Sequence, residues 1–176
     1  RLPDDAPLPL FAAADARELA DEPDAHLPAM PLAEHIVADY QTLRLSLKGH
    51  PMAMLRSVFR AEGVLTCAET TALRNGRRAR TAGVVLVRQR PGNGKAIFMT
   101  IEDETGIANI VLWDRDFERF RREVMGGRLL VIAGKLQKSR EGVVHLMAEA
   151  VFDRTAELQR LSETHRPQIT LSRADE

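Results

Sequence analysis

The sequence holds a single cysteine, Cys67, among 176 residues. No disulfide framework and no cysteine-based metal site can therefore be built. Its five histidines, His26, His35, His50, His145 and His165, are scattered and lack ligand spacing. An H-E-x-x-H pattern is absent, as are the G-x-S-x-G, P-loop and dinucleotide fingerprints. Cys67 has no suitable neighbouring histidine, so no active site is visible in this segment. No stretch approaches the roughly 18 consecutive apolar residues of a membrane span, and no signal-peptide layout opens the chain. The expected location is the cytoplasm, with no membrane partner. The chain begins at Arg1 rather than Met, which fits an excised or processed segment of a longer protein. Aromatics make up only 5%, so a core must come mostly from Val, Leu, Ile and Ala.

An apolar fraction of 44% is enough for such a core, in one domain of ordinary size plus an extension. The zero net charge hides an asymmetry. Residues 1–39 carry 9 acids and 2 bases, whereas residues 40–100 carry 11 bases and 2 acids. A basic block beside an acidic one fits either a polyanion-binding surface or internal pairing.

Residues 1–31 read as a flexible Pro/Ala/Asp-rich tether, punctuated by Pro3, Pro7, Pro9, Pro23, Pro28 and Pro31. Within it, Pro7–Phe11 (PLPLF) loosely resembles Leu/Phe-ended peptides that dock on sliding clamps, though without their leading glutamine. A local contact is the simpler reading. Residues 32–78 form a helical connector. Leu32, Ile36, Tyr40, Leu43 and Leu47 recur at helical steps up to Lys48, and a second helix is expected near Met52–Ala61. From residue 79 to 153 the period changes to two. Strands are expected at Thr81–Arg90, at KAIFMTIED, at GIANIVLW, at GRLLVIAGKLQKS and at VVHLMAEAVF, with the helix DRDFERFRREVM after the third and Asp114 as its N-cap. Residues 154–176 supply a terminal helix and tail. Three strands, a helix and two strands is the order of a five-stranded OB-fold Greek-key barrel. The fold class is mainly β with flanking helices.

Alternation within the strands sorts their faces. Ile97, Met99 and Ile101 should point inward, leaving Phe98 outside; Ile110 and Leu112 leave Asn109, Val111 and Trp113 outside. Val85 and Val87 should point inward, with Leu86, Arg88 and Arg90 sharing the outer face. An exposed aromatic among cations suits single-stranded nucleic acid, because cations follow phosphates and the ring stacks a base. The candidate nucleic-acid-binding residues are Arg88, Arg90, Lys95, Phe98, Asn109, Lys135 and Lys138. For Phe98 the alternative is packing under a loop or the Leu32–Leu47 helix; for the cations it is a solvated or aggregation-resistant edge. The turn Glu102-Asp103-Glu104-Thr105-Gly106 reads as an exposed structural corner rather than a catalytic carboxylate cluster, because an exposed turn cannot split carboxylate pKa values.

Two long stretches, GVVLVRQRPGNGKAIFMTIEDETGIANIVLWDRDFERFRR and LLVIAGKLQKSREGVVHLMAEAV, closely resemble the C-terminal OB domain of bacterial error-prone DNA polymerases, relatives of the polymerase III alpha subunit. DYQTLRLSLKGHPMAMLR looks like the segment after that family's helix-hairpin-helix region. The resemblance spans about Leu32–Leu161. It implies a parent DNA-directed DNA polymerase, a nucleotidyltransferase of DNA replication and repair. That enzyme copies damaged DNA (translesion synthesis) with Mg²⁺ and deoxynucleoside triphosphates. Its catalytic aspartates would lie in a palm domain outside this segment, which is expected to hold no cofactor. The module would contact single-stranded template DNA or dock mutasome accessory proteins, a Y-family-like polymerase homologue and a RecA-like protein. The pattern Gly83, Val85, Arg88 is also similar to the anticodon-binding domain of class II tRNA synthetases, in which a second-strand aromatic stacks a base and a third-strand amide reads one. Those roles would fall on Phe98 and Asn109.

Overall fold

A computed structural model describes residues 29–43, 45–92 and 94–163; Pro7–Phe11 lies outside them. Three helices come first: α1 (Leu32–Thr42), α2 (Pro51–Ala61) and α3 (Cys67–Ala72). Strands β1 (Arg78–Gln89), β2 (Ala96–Asp103) and β3 (Gly106–Trp113) follow, then α4 (Asp114–Gly126), β4 (Leu129–Lys138), β5 (Val144–Asp153) and α5 (Thr155–Glu163). The strands close into a barrel in the order β1-β2-β3-β5-β4. Only the β3–β5 pairing is parallel. This is the OB-fold.

Alternating apolar residues fill the barrel: Ile97, Met99 and Ile101 from β2 meet Ile110 and Leu112 from β3, Ile132 and Leu136 from β4, and Leu146 from β5. Helix α4 adds Phe117, Phe120 and Val124 to this core, and its backbone leaves helical geometry at Phe120 (φ −116°, ψ 18°). Asp114 is its first residue rather than its N-cap, a position held by Trp113. Closure demands close backbone approach at Gly83. A Cβ there would lie 2.6 Å from the carbonyl oxygen of Glu102, so only glycine lets β1 bend across β2.

A second core lies outside the barrel wall. Met52, Leu55 and Phe59 of α2 pack on Ala82 and Val84 of β1 and on Leu129 and Val131 of β4, joined by Tyr40, Leu158 and Leu161. Strands β1 and β4 are thus buried on both faces over part of their length, which explains the unbroken apolar run LLVI. Helix α2 covers this part of the barrel wall.

Two expectations require correction. Helix α1 ends at Thr42, not Lys48. The Thr42 hydroxyl donates to the Ala38 carbonyl at 2.9 Å, and Ser46 Oγ folds back onto Asp39 Oδ2 at 2.7 Å, side-chain bonds that compete with further helix. Of the expected stripe, Ile36 and Tyr40 pack inward, with Ala33 and Val37 beside them, whereas Leu32, Leu43 and Leu47 are exposed, Leu47 by 98%. In β1, the pairing with β2 shifts register between Val85 and Val87, so Leu86 is an extra residue and Val87 turns outward. A bulge of this kind reverses every later side chain.

Candidate nucleic-acid interface

Register defines one continuous outer face. Gln89 lies opposite Phe98, Phe98 opposite Val111, and Thr100 opposite Asn109. Val111 pairs with Met147, and Lys135 and Gln137 of β4 pair with Met147 and His145 of β5. Side chains directly across a ladder share a face, so polar and aromatic groups from five strands form one surface.

Phe98, 39% exposed, stands at its centre. Its ring meets His145 edge-on, with centroids 6.5 Å apart and planes at 74°. Gln89, Pro91, Phe98, Thr100, Asn109 and His145 line a shallow groove of about 350 Å³. Thr100 Oγ1 lies 3.3 Å from Asn109 Oδ1. The hydroxyl donates to one lone pair of the amide oxygen, and the Asn109 side chain lines the groove. The groove therefore offers an aromatic plate, an imidazole and amide groups, the set needed to stack a base and read its edge.

The two candidate arginines, Arg88 near the end of β1 and Arg90 just beyond it, lie elsewhere. The bulge sets Arg88 opposite buried Met99, on the side of α4. Its guanidinium donates to the carbonyls of Val124, at 2.6 Å, and Gly127. These close the C-terminal end of α4, where carbonyls lack helical partners. Arg90 lies over the Phe117 ring at 5.1 Å, donates to the Gly94 carbonyl at 3.2 Å and pairs with Asp114. The expectation that these arginines surround Phe98 is corrected: they share a face with each other, but not with Phe98. Lys95 is exposed just before β2. Lys135 is exposed on the outer face, whereas Lys138 is half-buried across from Val144. Phe98, Asn109 and Lys135 thus share the outer face, and Arg88 and Arg90 leave it. His145 and Gln89 went unpredicted. Inward-pointing Leu146 and Ala148 in β5 were the available signal for His145; Gln89 reaches the face only through the bulge.

The acidic corner is structural, and although Glu104, Thr105 and Gly106 are exposed, Asp103 is not. Asp103 is 3% accessible and accepts four hydrogen bonds: from Arg56 Nη2 and Cys67 N–H, both at 2.8 Å, and from Thr105 N–H and Oγ1, at 2.8 and 2.6 Å. Arg56 also pairs with both oxygens of Glu104, at 2.5 and 2.8 Å. The Glu104 hydrogen bond holds the guanidinium above its usual pKa. This corner clamps α2 and α3 to the β2–β3 turn. Beside it, burial pushes the Cys67 thiol up to about 12, so the sulfur stays protonated and inert at neutral pH. Much of the basic block is likewise paired internally, through Arg60–Glu69, Arg78–Glu149 and Arg90–Asp114. Among the described residues no group of three or more His, Cys, Asp or Glu could hold a metal ion, and no helix is long and apolar enough to cross a membrane.

Residues 79–154 match the OB-fold nucleic acid binding domain. Over 93% of its length the chain is 67% identical to an error-prone DNA polymerase of Rhodopseudomonas palustris. It is also 57% identical, over 92% of its length, to one of Brucella abortus. The chain is homologous to one segment of the error-prone DNA polymerases. It spans about 14% of the length of the R. palustris relative and 15% of the Brucella one. Among solved structures, asparaginyl-tRNA synthetase from Pyrococcus horikoshii aligns with 52% of this chain and 22% of its own, at 25% identity and a TM-score of 0.45. An OBody bound to hen egg-white lysozyme aligns with 51% of this chain and 91% of its own, at 18% identity and a TM-score of 0.42.

Proposed function

We propose that this chain is an accessory, C-terminal module of an error-prone DNA polymerase, and that the outer face of its barrel holds single-stranded template DNA during copying of damaged DNA. The observation carrying this reading is Phe98, partly exposed beside Asn109 and His145 on a barrel homologous to segments of such polymerases. A large apolar ring is an expensive side chain to leave in water. Stacking on an unpaired base removes much of that cost and contributes roughly 1–3 kcal/mol per base. The groove around the ring is polar but nearly uncharged. Stacking and base-edge hydrogen bonds therefore dominate there, and the phosphate contribution comes from more distant cations such as Lys135.

That shortage of cations beside Phe98 favours one other reading, in which the same face docks an accessory protein of the polymerase. Salt separates the two. Phosphate contacts release condensed counterions, so affinity falls steeply with ionic strength, whereas an apolar protein interface is far less sensitive. The test is fluorescence anisotropy with a labelled oligonucleotide of about 16 nucleotides, the upper range of an OB-fold site, at about 50 and about 200 mM salt. Wild type, Phe98→Ala and Asn109→Ala are compared. Binding weakened by both substitutions supports the DNA reading; no binding at low salt rejects it.

A further inference from the structure

The strongest unassigned feature is a second groove on the same outer face. It encloses about 490 Å³ and is lined by Trp113, Arg115, Lys135, Gln137 and Met147, among others. Trp113 is the only tryptophan of the chain. It is 44% exposed at the end of β3, two residues beyond Val111 and on the same side of the strand. Its backbone pairs with small, buried Ala96, so no bulky cross-strand neighbour covers the indole. From Phe98, Trp113 is one strand across and two residues along, or about 5 Å by about 7 Å. That separation lets one strand of nucleic acid place different bases on the two rings.

Charges around this groove differ from those around Phe98. Asp116 is engaged by Arg115 at 3.2 Å, and Glu149 by Arg78 at 3.3 Å. Lys135 takes part in no ion pair among the described residues, and its stem runs over Gly76. Arg115 is 81% exposed, free enough to exchange its carboxylate for a phosphate. The groove thus combines an aromatic plate, two accessible cations and the Gln137 amide.

We propose that this groove is a second nucleotide subsite: Trp113 stacks a base of the strand lying on Phe98, and Lys135 and Arg115 hold its phosphate. The inference rests on the reading of the outer face as a single-stranded DNA site. It assigns to Trp113 a role that the first groove neither needs nor implies. It also locates the salt-sensitive part of binding at this end of the face.

Because no second indole contributes, tryptophan emission reports on this groove alone. The experiment titrates the 176-residue chain with single-stranded DNA, following tryptophan emission and oligonucleotide anisotropy together. Emission should change and saturate with the anisotropy. Trp113→Ala should weaken binding roughly 5- to 150-fold, while Trp113→Phe retains most of it. Lys135→Gln and Arg115→Gln should each lower the salt slope by about 0.7. Should Trp113→Ala fail to fold, emission from the wild type and the two charge variants decide the matter. Binding that depends on Phe98 but leaves tryptophan emission and both salt slopes unchanged would overturn the second subsite while the outer-face reading stands. No oligonucleotide binding by the wild type would overturn both.

Discussion

The β2–β3 hairpin carries polar groups at its tip and along its outer face, and the two sets meet opposite fates. At the tip, Asp103 is enclosed and satisfied by Arg56, Cys67 and Thr105. Along the outer face, Phe98, Asn109 and His145 line an open groove. Both sets draw the eye in the sequence, where the acidic turn reads as a structural corner and the outer face as the candidate site. What separates them is completion. A buried carboxylate that already accepts four hydrogen bonds from the protein has little left to offer a ligand. A surface that exposes a large ring beside amide and imidazole groups has its best contacts still to make.

This contrast can be broken by substitution, and the largest effect should come from the tip. Asp103→Ala should cost about 2–3 kcal/mol, because it leaves the Cys67 and Thr105 N–H groups without their acceptor and takes one hydrogen bond from the half-buried Arg56, which keeps Glu104. Chemical denaturation measures the loss; a loss below about 1 kcal/mol would mean that the corner is not the clamp described above. Next comes Arg88, the cation that the bulge moves from the outer face to the end of α4. Arg88→Met should lower stability by about 1–2 kcal/mol and leave the salt slope of DNA binding unchanged. A flatter slope at equal stability would return Arg88 to the nucleic-acid site. Phe98→Ala should do the converse, weakening oligonucleotide binding by about 1–3 kcal/mol with a change in stability under about 1 kcal/mol.

The smallest effect concerns pH at the tip. His50 caps α2, accepting from Met52 N–H at Nδ1 at 3.1 Å, and its Nε2 lies 3.9 Å from Glu102. Burial holds the imidazole below its ordinary pKa, against the opposing pull of Glu102, Glu104 and Asp103 and with a minor push from Arg56. The folded state therefore binds this proton less readily than the unfolded chain. Stability contributed by the neutral ring is present above the unfolded value near 6.5 and declines as pH falls below it. His50→Asn keeps a capping oxygen and should flatten that decline in thermal melts between about pH 7.5 and 5.5. An unchanged decline would assign it to other groups.

Much of this architecture is legible in the sequence, and the parts that are not have a common cause. Strand β3 can be read from GIANIVLW because its alternation and bounding turn are local, and the order of strands and helix then implies the barrel. Phe98 and Asn109 are legible as outward-facing for the same reason. The bulge at Leu86 is not, since it arises from how β1 pairs with β2 rather than from any residue in β1. That one extra residue misplaces Val87, Arg88 and Arg90 together. Burial of Asp103 is equally hidden, because Arg56 lies 47 positions upstream and reaches it only after α2 has packed on the barrel. Short helix α3 does carry a local sign in its Thr66–Glu69 capping box, which is easily passed over in so short an element.

The central claim is that the outer face, and not the acidic tip, meets single-stranded DNA. Amide chemical-shift mapping of the chain against an unlabelled oligonucleotide tests it most directly. The account predicts perturbations that saturate together at Gln89, Phe98, Thr100, Asn109 and His145, with Cys67, Asp103 and Thr105 unmoved. Shifts clustered at the tip and along α2, with the Phe98 groove silent, would contradict it.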